Sequence, residues 1–286
     1  MALLLTYPLA FSRKLVGHFS HSTNASSALK AKQVANGVDR PLNLIQSVPT
    51  RWNSQFFMAQ RLIKLRLPVF AVLWDTAVTD AKTRQQLDLP DASWKVLEDI
   101  VPVLEPFAEA TEVLTKEDTP TLSQVFILLY QLISVSLAVS DDDSSTAKQL
   151  KNKIKTSLTE RFHLSPSGIP LNMSSHAIVA TFLDPRYKSL KFLSNDQKDQ
   201  VVSYVEGLVP EQPAPVSNDA ESLSCSIKQE VEPVKKMIFD CLQGDVDLVD
   251  LTSNDPGGVH QEIVAYQTEP VRVLDPLQWW KGNENR

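Results

Sequence analysis

Apolar residues along this chain recur mostly three and four positions apart, which predicts helices separated by proline-containing and acidic turns. Phe11 to Gln33 carries Leu15, Val16, Phe19, Ala25, Ala28 and Leu29 on that spacing, with Asn36-Gly37 as its stop. From Gln55 onward Phe56, Phe57, Met58, Leu62, Leu65, Val69, Val72 and Leu73 repeat likewise, with Pro68 as a kink. Leu87-Asp88-Leu89-Pro90-Asp91 is a turn in which Asp91 makes a good N-cap. Beyond it Trp94, Leu97, Ile100, Val101, Leu104, Phe107, Ala108 and Leu114 trace a stripe that Pro102 and Pro106 should bend or split. Leu122 to Val139 is apolar on nearly every side, as expected in the middle of a bundle, and Ala147 to Phe162 is amphipathic with lysines on its polar positions. His260 to Thr268 predicts a further short helix. One stretch departs from the helical period. Pro41 to Val48 alternates in part between turn residues and predicts a strand, closed by Pro49, with Thr50 or Asn53 to cap the next helix.

Composition narrows the class. The 286 residues allow one large or two modest domains, and 8 Gly against 18 Pro favours helices over hairpins. A formal net charge of −6 leaves no global basic footprint for nucleic acid. Cys225 and Cys241 are too few for a disulfide framework and stand in no Cys-x-x-Cys pair. The longest apolar run, Val125 to Val139, is too short to span a bilayer, and the apolar Met1 to Leu5 lacks the basic start of a signal peptide. The chain therefore reads as soluble and intracellular, with no membrane partner. Residues 210–258 gather Pro, Ser, Asp and Glu and read as a disordered acidic linker. Within it Ile227-Lys228-Gln229-Glu230 fits the aliphatic-Lys-x-acid pattern of SUMO conjugation, making Lys228 a candidate modification site.

Candidate chemistry is sparse. His18 and His21 share a helix face, one requirement of a metal pair, but no carboxylate or third ligand stands near, so they read as surface histidines. Asp141-Asp142-Asp143-Ser144-Ser145 lacks the Gly and terminal Glu of a calcium loop and reads as a helix connection. Arg51, Arg61, Lys64 and Arg66 form the most basic stretch, with no acid among them. Such a run is either a solvated face or a phosphate contact. Trp52 beside Arg51 either plugs the entry to the helix as a core aromatic or stacks on an unpaired base.

Three motifs carry a family resemblance: Val48-Pro49-Thr50-Arg51-Trp52-Asn53-Ser54, then Ala180-Thr181-Phe182-Leu183-Asp184-Pro185-Arg186-Tyr187-Lys188, then Asp275-Pro276-Leu277-Gln278-Trp279-Trp280-Lys281. In this order and spacing they resemble the C-terminal half of a hAT-superfamily transposase, of the transposase-derived zinc-finger BED type. The resemblance implies a mainly α fold, with an all-α helical insertion region attached to a partial ribonuclease-H-like α/β core. Residues 1–54 would be the ribonuclease-H-like part with its last strand, and 55–209 the helical insertion. Residues 210–258 would be the linker, and 259–286 the start of a truncated C-terminal dimerisation region. It also implies a DNA-facing role for Arg51 and Trp52, to which the charge pattern adds Arg61 and Lys64, and a dimerisation role for Trp279 and Trp280. Two adjacent tryptophans cannot share one helix face, so at least one should need a partner surface.

The family's enzymes cut DNA with two aspartates and a glutamate around divalent metal. None of these can be carried over onto a residue here; Asp184 reads as a turn and cap residue within a structural motif. The expectation is therefore not an enzyme but a domesticated, transposon-derived nuclear protein. It would use no cofactor, metal or small-molecule substrate. Its partners would be further copies or a related hAT-type protein, with DNA as a candidate, in a setting of transcription regulation. Two alternatives stay open: a fragment of an active transposase whose catalytic residues lie outside this chain, and a helical scaffold that binds only protein.

Overall fold

The computed structural model describes residues 2–48, 50–117, 119–209, 259–269 and 275–283. Among them the helices are α1 (Ala2–His21), α2 (Thr23–Ala35), α3 (Trp52–Lys64), α4 (Arg66–Leu73), α5 (Ala81–Leu87) and α6 (Asp91–Leu114). They continue as α7 (Val125–Gln131), α8 (Ser145–Phe162), α9 (His176–Leu183), α10 (Asn195–Glu206), α11 (Val259–Thr268) and α12 (Pro276–Gly282). The chain divides into two compact units, Met1–Thr111 with Ser136–Thr156 and Glu112–Val135 with Ser157–Arg286. No described helix is long and apolar enough to cross a membrane.

In the first unit α1 packs on α2 and α3, and α2 on α4. Ser12, Leu15, Val16 and Phe19 form the buried stripe of α1, at intervals that keep them on one face. The single helix expected over Phe11 to Gln33 is two. Ser22 turns into the extended region and its Oγ accepts the Ala25 amide at 3.2 Å, a local cap that opens α2. The kink expected at Pro68 is a break three residues earlier. Without a proline N–H the Lys64 carbonyl has no helical partner, so α3 ends there and Leu65 joins it to α4. Pro102 and Pro106, by contrast, leave α6 unbroken; Pro102 is exposed, so the carbonyl it fails to engage can meet water.

The strand expected at Pro41 to Val48 is not formed, and the described residues contain no strand and no ribonuclease-H-like sheet. The segment lacks a neighbour to pair with, and side chains meet its backbone instead. Gln33, buried on α2, receives the Leu42 amide at 2.8 Å and donates to the Leu42 carbonyl at 2.9 Å, as a neighbouring strand would. Arg61 donates to the Asn43 carbonyl at 2.8 Å, and Ser54 Oγ bonds both the amide and carbonyl of Val48 at 2.8 and 2.9 Å.

In the second unit α9 packs on the 3-10 turn Leu122–Gln124, on α7 and on α10, and α10 packs on α11. The apolar stretch expected as one helix over Leu122 to Val139 changes winding instead, from that 3-10 turn through α7 to a π turn at Leu132–Ser136. Gly168, at φ +87°, lies so close to it that a Cβ would stand 3.1 Å from Ile133 Cβ. Asn195 to Glu206 gave no apolar period strong enough to announce α10, yet Ser194 and Gln197 start it with a reciprocal capping box. The linker expected over 210–258 lies outside the described residues, and with it Lys228, Cys225 and Cys241.

Candidate functional site

The first motif forms the entry to α3. Arg51 occupies the N-cap in an extended conformation with no side-chain cap, so neither Thr50 nor Asn53 caps as expected. Ser54 folds back instead, its Oγ donating to the Arg51 carbonyl at 2.6 Å. The first turn carries no acid, so its unpaired N–H groups leave a local positive end. Trp52 exposes 43% of its surface there and does not plug a core. The Arg51 side chain is exposed, with no ion pair or hydrogen bond among the described residues.

The structure does not bring all four DNA-facing candidates together. Lys64 is exposed at the far end of α3, twelve residues or about 18 Å from Trp52 along the axis and roughly a third of a turn around it. Arg61 is half-buried and engaged with Asn43. Arg66, counted in the basic run, is neutralised by Asp91 at 3.1 Å and Glu98 at 2.8 Å and lies 4.9 Å over the Trp94 ring. Asp91 thus serves an ion pair rather than the cap expected of it. What remains is a compact Arg51-Trp52 site.

The second and third motifs, almost a hundred residues apart, meet in the second unit. Asp184 ends α9 and is buried; Ser123 Oγ donates to its Oδ2 at 2.7 Å, and Arg186 grips it through Nε at 2.9 Å and Nη2 at 2.7 Å. Burial works against the Arg186 charge, but the bonds to Asp184 outweigh it and hold the guanidinium pKa above its ordinary value. Burial also pushes the neighbouring Tyr187 phenol up to about 12. All of the Asp184 carboxylate is therefore spent on structure.

Beyond Asp184, α11 and α12 close the end of α9, and the second motif in turn closes the end of α11. Tyr266 of α11 donates its hydroxyl to the Phe182 carbonyl, and Trp280 of α12 donates Nε1 to the Leu183 carbonyl, closing the end of α9. Lys188, buried, returns the favour: its ammonium bonds the Tyr266 and Glu269 carbonyls at the end of α11 and lies 4.9 Å over the Tyr266 ring. Trp279 is buried and meets Tyr266 edge-on at 5.4 Å, while Trp280 stacks at 5.7 Å on the same ring. The surface that the second tryptophan needs is supplied within the unit. Burial raises the Tyr266 phenol well above its ordinary 10, and Asp184 and Glu269 add to the shift. The sequence offered no sign of Tyr266 or Ser123, which are isolated residues whose roles exist only in the folded unit.

His18 and His21 part company. His21 is exposed, whereas His18 is half-buried, with its Nε2 enclosed and without a hydrogen-bond partner, and it meets Phe19 edge-on at 5.7 Å. Burial lowers the His18 pKa below 6.5, against an opposing pull from Asp80. Among the described residues no three His, Cys, Asp or Glu side chains converge as metal ligands.

Comparison with known proteins finds relatives in one group. The chain is 23% identical over 206 residues to human (Homo sapiens) zinc finger BED domain-containing protein 4, covering 71% of this chain and 16% of that protein. It is 27% identical over 182 residues to mouse (Mus musculus) zinc finger BED domain-containing protein 6, covering 63% of this chain and 17% of that protein. The human protein 6 matches at 26% over 182 residues, or 18% of its length. The chain thus spans about a sixth of the length of the curated relatives it matches. No family model matches it.

Proposed function

The chain is a relative of the zinc finger BED domain-containing proteins, and from that kinship we propose a nuclear, non-catalytic protein that contacts DNA through Arg51 and Trp52 and associates with its own or related chains. The observation that carries the DNA contact is the exposure of Trp52 beside Arg51 at an uncapped helix start. The indole is open to stack on an unpaired base, and the guanidinium and first-turn N–H groups favour a phosphate alongside it. The non-catalytic part is supported by Asp184, the acid within the second motif, which is consumed by Ser123 and Arg186. Residues 1–54 then correspond to the rim of a ribonuclease-H-like core, in which Pro41 to Val48 pairs once a neighbouring strand is supplied. Trp279 and Trp280 serve association by fixing α12, whose Leu277 stays 58% exposed. Lys228 is the SUMO acceptor of this scheme.

Fluorescence anisotropy with labelled single-stranded and hairpin DNA over a salt series tests the contact. Trp52→Ala should weaken binding about tenfold, and Arg51→Ala should lower the salt slope by about one. Equal affinities for wild type and Trp52→Ala would remove the DNA role. The net charge of −6 favours instead a scaffold that binds only protein, for which no salt-dependent DNA binding appears at all.

A further inference from the structure

Charge is split unevenly along the chain. Helices α1 to α4 and their connections, residues 2–73, hold nine lysines and arginines against one acid, Asp39, a formal +8, which leaves −14 to the rest of a chain that sums to −6. Such an imbalance suits contact with a polyanion. Within this block α1 and α3 line a cavity of about 190 Å³, formed by Thr6, Leu9, Ala10, Arg13 and Gln55. Thr6 and Ala10 are exposed, so it opens to solvent, and Leu9 and Ala10 give it an apolar wall. Two of its polar groups are unspent. Arg13 uses only Nε, which donates to Ser47 Oγ at 3.0 Å, and its two terminal nitrogens make no hydrogen bond or ion pair among the described residues. The Gln55 amide likewise has no partner among them. Gln55 lies three residues beyond Trp52 on α3, so the cavity and the exposed indole are neighbours on one face, with Cβ atoms about 5–6 Å apart. One nucleotide step along a single strand covers that distance.

We propose that this cavity receives an unpaired base of the strand that stacks on Trp52, and that it selects guanine and cytosine over adenine and thymine. The pocket depends on the DNA contact proposed for Arg51 and Trp52, since the same strand must reach both. Its volume admits one base but not a base pair. The terminal N–H groups of an arginine only donate, and two of them in parallel call for two adjacent acceptors. Unpaired guanine presents N7 and O6 in that way, and unpaired cytosine presents O2 and N3. In each case a donor follows, N1–H or the N4 amino group, which the Gln55 side-chain carbonyl can accept. Adenine and thymine place a donor between two acceptors, so one Arg13 N–H would meet another N–H. A base on Trp52 is held by its face, and any base serves there. Arg13 and Gln55 supply the selectivity that stacking lacks. Ser47 is buried, and its bond to Nε fixes the plane of the guanidinium before a base arrives.

Fluorescence anisotropy of the whole chain with short labelled oligothymidylates, plain or carrying one central guanine, cytosine or adenine, tests the pocket. The guanine and cytosine strands should bind about tenfold tighter than the adenine and plain thymine strands. Arg13→Lys keeps the charge and removes the fork, so it should erase this preference and leave the salt slope unchanged. Gln55→Ala, at a half-buried side chain without a partner among the described residues, should reduce the preference and leave the helical circular dichroism intact. Trp52→Ala should weaken all four strands alike and retain their order. Four equal affinities that still depend on Trp52, or a preference for adenine, overturn the base pocket and leave the DNA contact standing. A preference that survives both Arg13→Lys and Gln55→Ala overturns it and places the selectivity elsewhere. Absence of salt-dependent binding to every strand removes the DNA contact and the pocket with it.

Discussion

Tyr266 and Trp280 finish the same helix: their rings lie 5.7 Å apart, and they donate at 2.9 Å to the successive carbonyls of Phe182 and Leu183. The last carbonyls of a helix have no partner of their own, so α9 relies on residues far along the chain to complete it. Tyr266→Phe keeps the ring and removes one donor, leaving a buried carbonyl unmet. It should cost about 1–3 kcal/mol in urea denaturation. Trp280→Phe, nearer to solvent, should cost less. Equal stability of wild type and Tyr266→Phe would show that water replaces the hydroxyl.

Asp184→Asn tests whether the acid of the second motif is structural. It leaves the Arg186 guanidinium buried without its counter-charge, which should cost about 3–5 kcal/mol. Arg186→Met with Asp184→Leu should recover part of that loss, because two apolar groups leave no unmatched charge. A soluble, fully stable Asp184→Asn chain would release the carboxylate for another role.

Gly168→Ala should destabilise by about 1–3 kcal/mol. The φ of +87° disfavours any Cβ, and the methyl would press on Ile133 in the π turn. The Tm of the variant reports this directly. Ile133→Val should not restore it, because the crowded atoms, Ile133 Cβ and Cγ2, are both kept in valine.

His18 gives the first unit a pH dependence of known sign. Its pKa is lowered in the fold by burial, so the unfolded chain holds the extra proton as pH falls through about 6.5. Stability is then full above that pH and declines below it toward the lowered folded pKa. The side chain is only partly enclosed, so the effect on Tm should stay within roughly 2 °C. Thermal melts of wild type and His18→Gln between pH 7.5 and about 5 should diverge in the wild type's slope alone; parallel slopes would place the proton elsewhere.

Most helices were legible because periodicity reports burial, and Leu15, Val16, Phe19, Leu62, Leu97 and Ile100 are all core residues as their spacing implied. Breaks were harder. Ser22 interrupts α1 and α2 by a local cap that competes with the apolar period on either side. Short polar helices were invisible: α5 starts on Asp80, whose Oδ1 accepts the Thr83 amide at 2.9 Å, with little apolar content to announce it. Pro41 to Val48 has the composition of a strand, but a strand needs a neighbour, and composition cannot say whether one is there. At the site, Arg51 and Trp52 were readable as a pair, whereas the fate of Arg66 depended on Asp91 and Glu98 across two turns of chain. The exposed face of α4 was hidden for the opposite reason. Leu67 to Trp74 is apolar on both faces, so the buried positions masked the bare ones.

The reciprocal capping of α9 and α11 also sets an order of assembly. Phe182 and Leu183 leave the ribosome long before their donors, since 84 and 97 positions separate them from Tyr266 and Trp280. During synthesis the second unit therefore waits with two open carbonyls and an unplaced Lys188, and closes only when Tyr266 and Trp280 emerge. Tyr266 and Trp280 act as the latch on a structure begun at Ser123.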